Sequence, residues 1–290
     1  MKTLLITGGT GFVGKNILPI LSKKYKVFAP HRNELDLRDT CAVKNYVIHN
    51  KIDSIVHCAN PNPVKSANFD SYQNMFEDSL KIFMNFYQIQ ANCEKIIYLG
   101  SGAEFDKSMN IQRIKEEDVH RSLPTDVYGA SKYIMNELAL HSKNIYNMRL
   151  FACYGPYDHE SKFITHVIRC CLSNEMITIR QNCYFDYIHV FDLAKIIEYM
   201  IENDLKYHDY NVASGDQITL ENIAKKVCQQ MGYPTSKITF LKKELNKEYT
   251  ADITRLENEM HLKNSFISLD DGISIQIQHE RKWFNDQTSC

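Results

Sequence analysis

The sequence has no long hydrophobic run, no excess of charge of either sign and no CxxC motif. Because no stretch approaches the roughly 18 apolar residues of a membrane span, we expect no membrane partner. The 34 basic and 35 acidic residues leave a net charge of -1, which argues against a surface for nucleic acid. The nine cysteines are scattered, which is typical of reduced thiols in the cytoplasm and predicts neither disulfides nor a bound metal.

The amino terminus has only a short apolar segment. This segment ends at Thr7, whereas a secretory signal needs roughly 7 to 15 apolar residues. We therefore expect a cytoplasmic protein. A chain of 290 residues is long enough for one large domain or two modest ones with a sizeable core.

Apolar runs of strand length alternate with helical patterns through the first half of the chain. The predicted strands cover residues 3–7, 27–29, 54–58, 95–99 and 147–151, and the predicted helices cover residues 12–22, 41–50, 72–92 and 127–142. This alternation predicts an α/β protein with a doubly wound parallel sheet covered on both faces. After about residue 156, mixed patterns predict a smaller α+β lobe, with helices near 161–174, 191–203 and 219–231 and strands at 177–182 and 210–214.

Glycines are concentrated at the junction between the first strand and the first helix, in the segment GGTGFVG. Gly8, Gly11 and Gly14 have the G-x-x-G-x-x-G spacing. After a strand, such a turn brings a pyrophosphate close to the backbone and to the positive end of the helix. The segment therefore predicts a dinucleotide site, and the alternative is a turn with only a structural role.

The end of the second strand indicates which dinucleotide binds. NAD sites usually have an Asp or Glu there for the ribose hydroxyls, whereas NADP sites have basic groups that meet the 2′-phosphate. This chain has Pro30, His31 and Arg32, and the first acidic residue that follows is Glu34. We therefore predict NADP(H), with Arg32 as the phosphate partner. The alternative is that Arg32 is a solvated loop charge.

The segment YGASK puts Tyr128 and Lys132 four residues apart on one face of a predicted helix. An ammonium beside a phenol favours the phenolate, so we expect the pKa of Tyr128 to be lowered toward working pH, which suits proton transfer with a substrate oxygen. Ser101 follows the predicted strand 95–99, at the strand end where ligands of doubly wound sheets bind. These residues predict a catalytic site, and the alternative is a helix-surface pair with a turn serine.

Eight segments together give the sequence a family resemblance: TGGTGFVG, DLRD, VHCA, LGSGAEF, YGASK, RLFACYGP, FDYIHVFDLAKII and YNVASG. In this order they resemble the extended short-chain dehydrogenase/reductases, in particular the branch of nucleotide-sugar epimerases, dehydratases and reductases. The resemblance implies a Rossmann fold with a smaller substrate lobe, and a catalytic triad of Ser101, Tyr128 and Lys132. The cofactor-binding positions predicted from the residues and the resemblance are Gly8, Gly11, Phe12, Val13, Gly14, His31, Arg32, Asp36, Leu37, Ala59, Tyr128 and Lys132.

The resemblance also implies how the chain is divided. The expected NADP-binding Rossmann domain consists of residues 1–160 together with about 185–213. The expected nucleotide-sugar lobe consists of residues 161–184 and 214–290. Members of the family are often dimers that pair through helices matching 72–92 and 127–142, so we expect a homodimer.

Departures from the family pattern narrow the expected reaction. Dehydratases of the family follow the triad Ser or Thr with an Asp-Glu pair, whereas this chain has Gly102 and Ala103. A dehydratase is therefore disfavoured. The segments HRNELDLRD, YQNMFEDS and THVIR are most similar to GDP-fucose synthases, which use a Cys and a His for epimerisation. The His matches His166, but the Cys position is Ala103, so the resemblance favours reduction of a 4-keto sugar.

Two usual substrate contacts of the family are missing. Its Asn before YGP is Ala152 here, and its Arg before DYIHV is Phe185. Lys162, Arg169 or Arg180 could contact the pyrophosphate instead, and His166 is either a cleft residue or a solvent-exposed one. The predicted catalytic residues are therefore Ser101, Tyr128, Lys132 and His166, and the predicted substrate-binding residues are Ser101, Lys162, His166 and Arg180.

These features together predict an NADPH-dependent reductase that acts on a keto group of a nucleotide-linked sugar. One alternative is a nucleotide-sugar 4-epimerase that retains NAD, which the segment 30–32 disfavours. The other alternative is a non-catalytic NADP-binding protein, which the intact triad disfavours.

Overall fold

The computed structural model describes residues 1–61 and 74–288. Residues 72 and 73 of the predicted helix 72–92 lie outside this part of the chain. The strands are β1 (Thr3–Thr7), β2 (Lys26–Phe28), β3 (Ser54–His57), β4 (Lys95–Ser101), β5 (Ile111–Ile114), β6 (Ile145–Leu150), β7 (Ala152–Tyr154), β8 (Ile177–Gln181), β9 (Tyr184–His189), β10 (Asp209–Val212), β11 (Gln217–Thr219), β12 (Ile238–Lys242) and β13 (Tyr249–Ala251). The helices are α1 (Phe12–Leu21), α2 (Thr40–His49), α3 (Met75–Gln88), α4 (Val127–Leu140), α5 (Phe163–Leu172), α6 (Val190–Glu202), α7 (Leu220–Met231), α8 (Thr254–Met260) and α9 (Leu269–Thr288).

The largest sheet is parallel and has the strand order β10-β6-β4-β3-β1-β2. Both faces of its central strands are covered: every residue of Ser54–His57 is buried, for example. Helices α1 and α6 pack on one face around Ile17 and Ile197, and α2, α3 and α4 pack on the other around Val47 and Phe83. The predicted Rossmann α/β fold is therefore confirmed.

The order in which the chain adds strands to this sheet changes direction at β1. From β1 it runs to β2 at one edge, and it then crosses to β3 on the other side of β1. In such folds a crevice opens beyond the carboxyl ends of the strands on either side of the reversal. The loops that follow β1 and β3 meet there, since the Gly8 Cα lies against the backbone of Ala59.

The second half of the chain adds two smaller sheets. One has the strand order β11-β9-β13-β5, with β7 also paired to β9, and the other pairs β8 with β12. Helices α5, α7 and α9 pack together around a separate core that includes Val167, Val227 and Ile273. The predicted strands at 177–182 and 210–214 correspond to β8 and β10. The proposed domain boundary at about 185 falls within β9, and the division into domains stays a prediction.

None of the helices within residues 1–61 and 74–288 is long and apolar enough to cross a membrane.

Candidate active site

The turn between β1 and α1 is so tight that two of its glycines, Gly8 and Gly14, have no room for a side chain. Gly8 has a φ of +68°, and a Cβ on it would lie 2.7 Å from the backbone nitrogen of Ala59. A Cβ on Gly14 would lie 2.2 Å from the carbonyl oxygen of Gly8. Gly11 is the N-cap of α1 and supplies no side-chain hydrogen bond. The backbone amides of this turn are therefore not covered by their own side chains.

A cavity of about 260 Å³ lies beside this turn. Of the predicted cofactor residues, those that line it are Gly8, His31, Arg32, Asp36, Leu37 and Ala59. The guanidinium of Arg38, which also lines the cavity, donates to Asp36 at 2.8 Å and lies 3.6 Å from Asp78. This pairing with Arg38 holds the pKa of the Asp36 carboxyl below its ordinary value. The cavity therefore has two guanidinium groups beside it, and that of Arg38 is paired with Asp36 and Asp78.

The turn and this cavity fit a dinucleotide. A glycine turn that a Cβ would fill allows a phosphate to approach the backbone. The neighbouring cavity has apolar walls at Ala29, Leu37 and Ile82 for a flat base. Phe12 lies at the start of α1 and lines a second, larger cavity, so the glycine turn separates the two cavities.

The larger cavity has a volume of about 820 Å³ and lies beyond the carboxyl end of β4. Ser101 and Tyr128 both line it. Lys132 is buried behind Tyr128, with its Nζ 6.0 Å from the Tyr128 ring centroid. Nζ also donates to the carbonyl oxygen of Leu99 at 2.7 Å, within β4. The structure therefore brings Ser101, Tyr128 and Lys132 together at one side of the cleft.

The amino-terminal end of α4 is held close to Ser101 by two local features. The carboxylate of Asp126 caps the helix by accepting from the Gly129 amide at 2.8 Å. A Cβ on Gly129 would lie 2.4 Å from the carbonyl oxygen of Ala103. Since only glycine allows this approach, α4 packs directly on the turn that follows Ser101.

The predicted direction of the Tyr128 pKa shift is wrong. Burial raises the pKa of Tyr128 above its ordinary value of 10.0, and the Ser101 side chain opposes this only in part. Lys132, whose Nζ lies 6.0 Å from the Tyr128 ring centroid, does not reverse the effect; burial lowers the pKa of its own ammonium to about 8. Tyr128 is therefore a protonated phenol near neutral pH, which suits a group that donates a proton.

A buried network of charged groups lies behind Ser101, and sequence reasoning missed it. The Ser101 amide donates to Glu104 Oε1 at 2.9 Å. Glu104 Oε2 accepts from Arg149 Nε at 2.6 Å, and Arg149 Nη2 donates to Asp209 at 2.8 Å. Asn147 also donates to Glu104, at 2.9 Å. The signal in the sequence was a Glu and an Arg within apolar segments, at positions that the sheet buries.

Tyr249 is a second phenol in the cleft that the sequence did not indicate. It begins β13 and lines the larger cavity, and its hydroxyl lies against Gly102, the residue after Ser101, since a Cβ on Gly102 would lie 2.4 Å from it. Its ring packs against Phe151 and Phe185, with centroid distances of 5.2 and 5.6 Å. Phe185, which occupies the position of the missing family Arg, is therefore part of an aromatic wall.

The predicted substrate residues do not all reach the cleft. Lys162 lines the larger cavity. His166 is exposed on α5, where its ring contacts the Cys170 sulfur at 3.6 Å, and Arg180 is exposed on β8; neither lines this cavity. Arg169 forms ion pairs with Glu280, at 2.7 Å, and with Glu160. The helical face that buries residues 164, 167 and 168 directs His166 outward, so its predicted place in the cleft is not supported by the geometry.

The fold and the cleft agree with the comparisons to known proteins. A profile of the NAD dependent epimerase/dehydratase family matches residues 4–213, and this chain belongs to that family. It is an enzyme of the NAD(P)-dependent nucleotide-sugar epimerase/dehydratase/reductase type. The chain is 23% identical to a GDP-L-colitose synthase from Yersinia pseudotuberculosis, over 95% of this chain and 97% of that protein.

Solved structures show the same fold. A GDP-mannoheptose C4 reductase from Campylobacter jejuni with NADP bound has a TM-score of 0.80 and 19% identity, covering 97% of this chain and 98% of that one. The enzyme WbmH from Bordetella bronchiseptica in complex with NAD+ also has a TM-score of 0.80 and 19% identity, covering 98% of this chain and 99% of that one.

Proposed function

We propose that this protein uses NADPH to reduce a keto group, at C4, of a nucleotide-linked sugar. The observation that supports this best is the wall of the larger cavity where Ser101 and Tyr128 meet, with Lys132 behind them. The raised pKa of Tyr128 keeps a proton on the phenol. A carbonyl oxygen that is being reduced gains a proton, whereas a sugar that is being oxidised needs a base.

In this reaction, NADPH supplies the hydride when it is bound. Tyr128 donates its phenolic proton to the carbonyl oxygen, and Ser101 donates a hydrogen bond to the same oxygen as negative charge develops there. The Lys132 ammonium stabilises the phenolate that Tyr128 becomes. Loss of the proton from Tyr128 and its gain by the substrate oxygen balance the step, and water restores the phenol after product release.

The choice of NADP is supported by charge at the smaller cavity. His31 and Arg32 line it, and no carboxylate precedes Glu34 at the end of β2. Asp36, the first acid that lines the cavity, is neutralised by Arg38. This leaves the Arg32 guanidinium to meet a 2′-phosphate. The similar GDP-mannoheptose C4 reductase from Campylobacter jejuni has NADP bound, in keeping with the proposal.

The substrate would lie across the larger cavity, between the two proposed domains. Ser101 and Tyr128 belong to the Rossmann part, and Lys162 and Tyr249 to the proposed sugar lobe. We propose that Lys162 contacts the pyrophosphate, because neither Arg180 nor His166 lines this cavity. We also propose a cytoplasmic homodimer that pairs through α3 and α4, which pack side by side on one face of the sheet.

The proposal is tested by following NADPH oxidation with purified protein. Thermal stabilisation by UDP-, GDP-, CDP- and dTDP-linked sugars in the presence of NADPH first selects the substrates to assay. Net NADPH oxidation is expected with a 4-keto sugar nucleotide, and slower oxidation of NADH. Tyr128→Phe should lower kcat by about 100- to 10,000-fold because the proton donor is lost, while the Kd for NADPH stays close to the wild-type value.

Two results would contradict the proposal. Interconversion of 4-epimers without net NADPH oxidation would identify an epimerase, and wild-type turnover by Tyr128→Phe would exclude the phenol as proton donor. Tyr133→Phe is the matched control, because this tyrosine lies on the same helix and does not line the cleft; its kcat should equal the wild-type value.

A further inference from the structure

Tyr249 is a polar group of the cleft that the proposed chemistry does not use. Its backbone is fixed within the second sheet, where it pairs with Ile111 of β5 and Phe185 of β9. Its ring is held between Phe151 and Phe185. The side chain therefore has a defined direction, and that direction brings its hydroxyl to the turn after β4.

Gly102 makes room for this hydroxyl. A Cβ on Gly102 would lie 2.4 Å from Tyr249 Oη and 2.9 Å from Tyr249 Cζ. Any other residue at position 102 would displace the phenol from its place beside Ser101. A glycine at position 102 is therefore compatible with a tyrosine at position 249, whereas a bulkier residue at 102 is not.

The position of the Tyr249 hydroxyl affects the direction in which Ser101 can donate its proton. A serine hydroxyl has one proton to donate and two lone pairs that accept. One lone pair of Ser101 Oγ accepts from the Ala103 amide at 3.1 Å. If the Tyr249 hydroxyl donates to the second lone pair, the only remaining direction for the Ser101 proton is into the cavity, where Tyr128 lies.

We propose that Tyr249 is a positioning residue that acts through Ser101. Its hydroxyl donates to Ser101 Oγ, so that the Ser101 proton points at the carbonyl oxygen that Tyr128 protonates. This inference rests on the proposed reduction and assigns to it a third hydroxyl group, from a strand outside the Rossmann sheet. Burial keeps Tyr249 protonated, because it raises the pKa of this phenol.

The test compares variants in the NADPH oxidation assay. Tyr249→Phe keeps the ring and removes only the hydroxyl, so its kcat should fall by about tenfold, the effect of one neutral hydrogen bond, with both KM values unchanged. In a Ser101→Ala background, Tyr249→Phe should have no further effect on kcat. Tyr184→Phe, an exposed tyrosine of β9 that does not line the cavity, is the matched control and should match wild type.

Wild-type kcat for Tyr249→Phe would overturn the inference, and so would an equal loss of kcat in the Ser101→Ala background. If Tyr249→Phe unfolds, Gly102→Ala displaces the same hydroxyl and should give the same loss of kcat with unchanged KM values.

If the wild-type protein oxidises no NADPH with any sugar, the proposed function fails, and a crystal structure then decides the role of Tyr249 by itself. An Oη to Oγ distance under about 3.2 Å supports the inference, and a distance beyond about 3.5 Å overturns it.

Discussion

At the scale of single residues, the site combines two groups whose proton affinities are shifted by burial in opposite directions. Burial raises the pKa of the Tyr128 phenol and lowers that of the Lys132 ammonium to about 8. The nearby carboxylate of Glu104 opposes the second shift only in part. Lys132 is therefore the group of this pair that changes charge within the usual working range of pH.

This difference predicts the shape of the pH profile. The kcat of the wild-type protein should fall as pH rises above about 8, because Lys132 loses the charge that stabilises the Tyr128 phenolate. Lys132→Arg keeps a positive charge at all accessible pH values. The residual activity of that variant should lose its fall at basic pH, and an unchanged basic limb would show that another group titrates there.

At the scale of elements, the glycine turn and helix α1 form one tightly packed unit beside the proposed cofactor cavity. The close contact of the Gly14 Cα with the Gly8 carbonyl fixes how α1 begins relative to β1. Neither Gly8 nor Gly14 has room for even a methyl group, so the turn requires glycine at both positions. Cofactor affinity should therefore respond to a single added carbon atom.

Gly14→Ala would put a Cβ 2.2 Å from the Gly8 carbonyl oxygen. The turn must shift to accept it, and the Kd for NADPH should rise about 10- to 100-fold, as measured by fluorescence titration. Gly232→Ala is the control: its site is open, but its φ of +65° is unfavourable for alanine. That variant should lose about 1 kcal/mol of unfolding free energy and bind NADPH normally; equal Kd values for the two variants would contradict this account of the turn.

The elements that could be predicted from sequence are those with a long or strongly patterned signal. The strands that became β1, β3, β4 and β6 are rich in apolar residues because both faces of the sheet are covered, although β6 also buries Asn147 and Arg149. The strands β7, β11 and β13 have three residues each, too few for any periodicity. Tyr249 belongs to the last of these, so its approach to Ser101 depends on tertiary packing that sequence spacing does not report.

The candidate site was predictable to a similar extent. Ser101 and the YGASK pair could be named because their motif spacing and the strand end bring them together locally. The direction of the Tyr128 pKa shift could not be named, since burial is a property of the folded cleft. The environment of His166 could not be predicted either, because the pattern of α5 was compatible with a cleft position and with a solvent-exposed one. In the structure His166 is exposed.

At the scale of the whole molecule, buried ion pairs link the cleft to the edge of the large sheet. The chain of contacts runs from Glu104 through Arg149 to Asp209, and from Asp209 to Arg255 on α8. The side chains of Glu104 and Arg149 are fully buried. Each charge in such a network needs its partner, because solvent cannot replace it.

Glu104→Gln should therefore destabilise the fold as well as the site. Removing one charge of a buried pair costs about 3–5 kcal/mol of unfolding free energy, measured by urea denaturation. Asp270→Asn is the matched control, since it breaks an exposed pair with Lys226, and such pairs contribute about 1 kcal/mol or less. Equal stabilities for the two variants would mean that Glu104 does not balance Arg149 in the folded protein.

The proposed chemistry is tested most directly by the fate of the hydride. NADPH carrying deuterium at the transferable position of the nicotinamide is incubated with the protein and a 4-keto sugar nucleotide, and the product is examined by mass spectrometry and NMR. We predict a product one mass unit heavier, with the deuterium on the carbon that bore the keto group, and formation of this product about 100- to 10,000-fold more slowly by Tyr128→Phe. A product without deuterium, or a sugar whose configuration changes while NADPH is not consumed, would contradict the account.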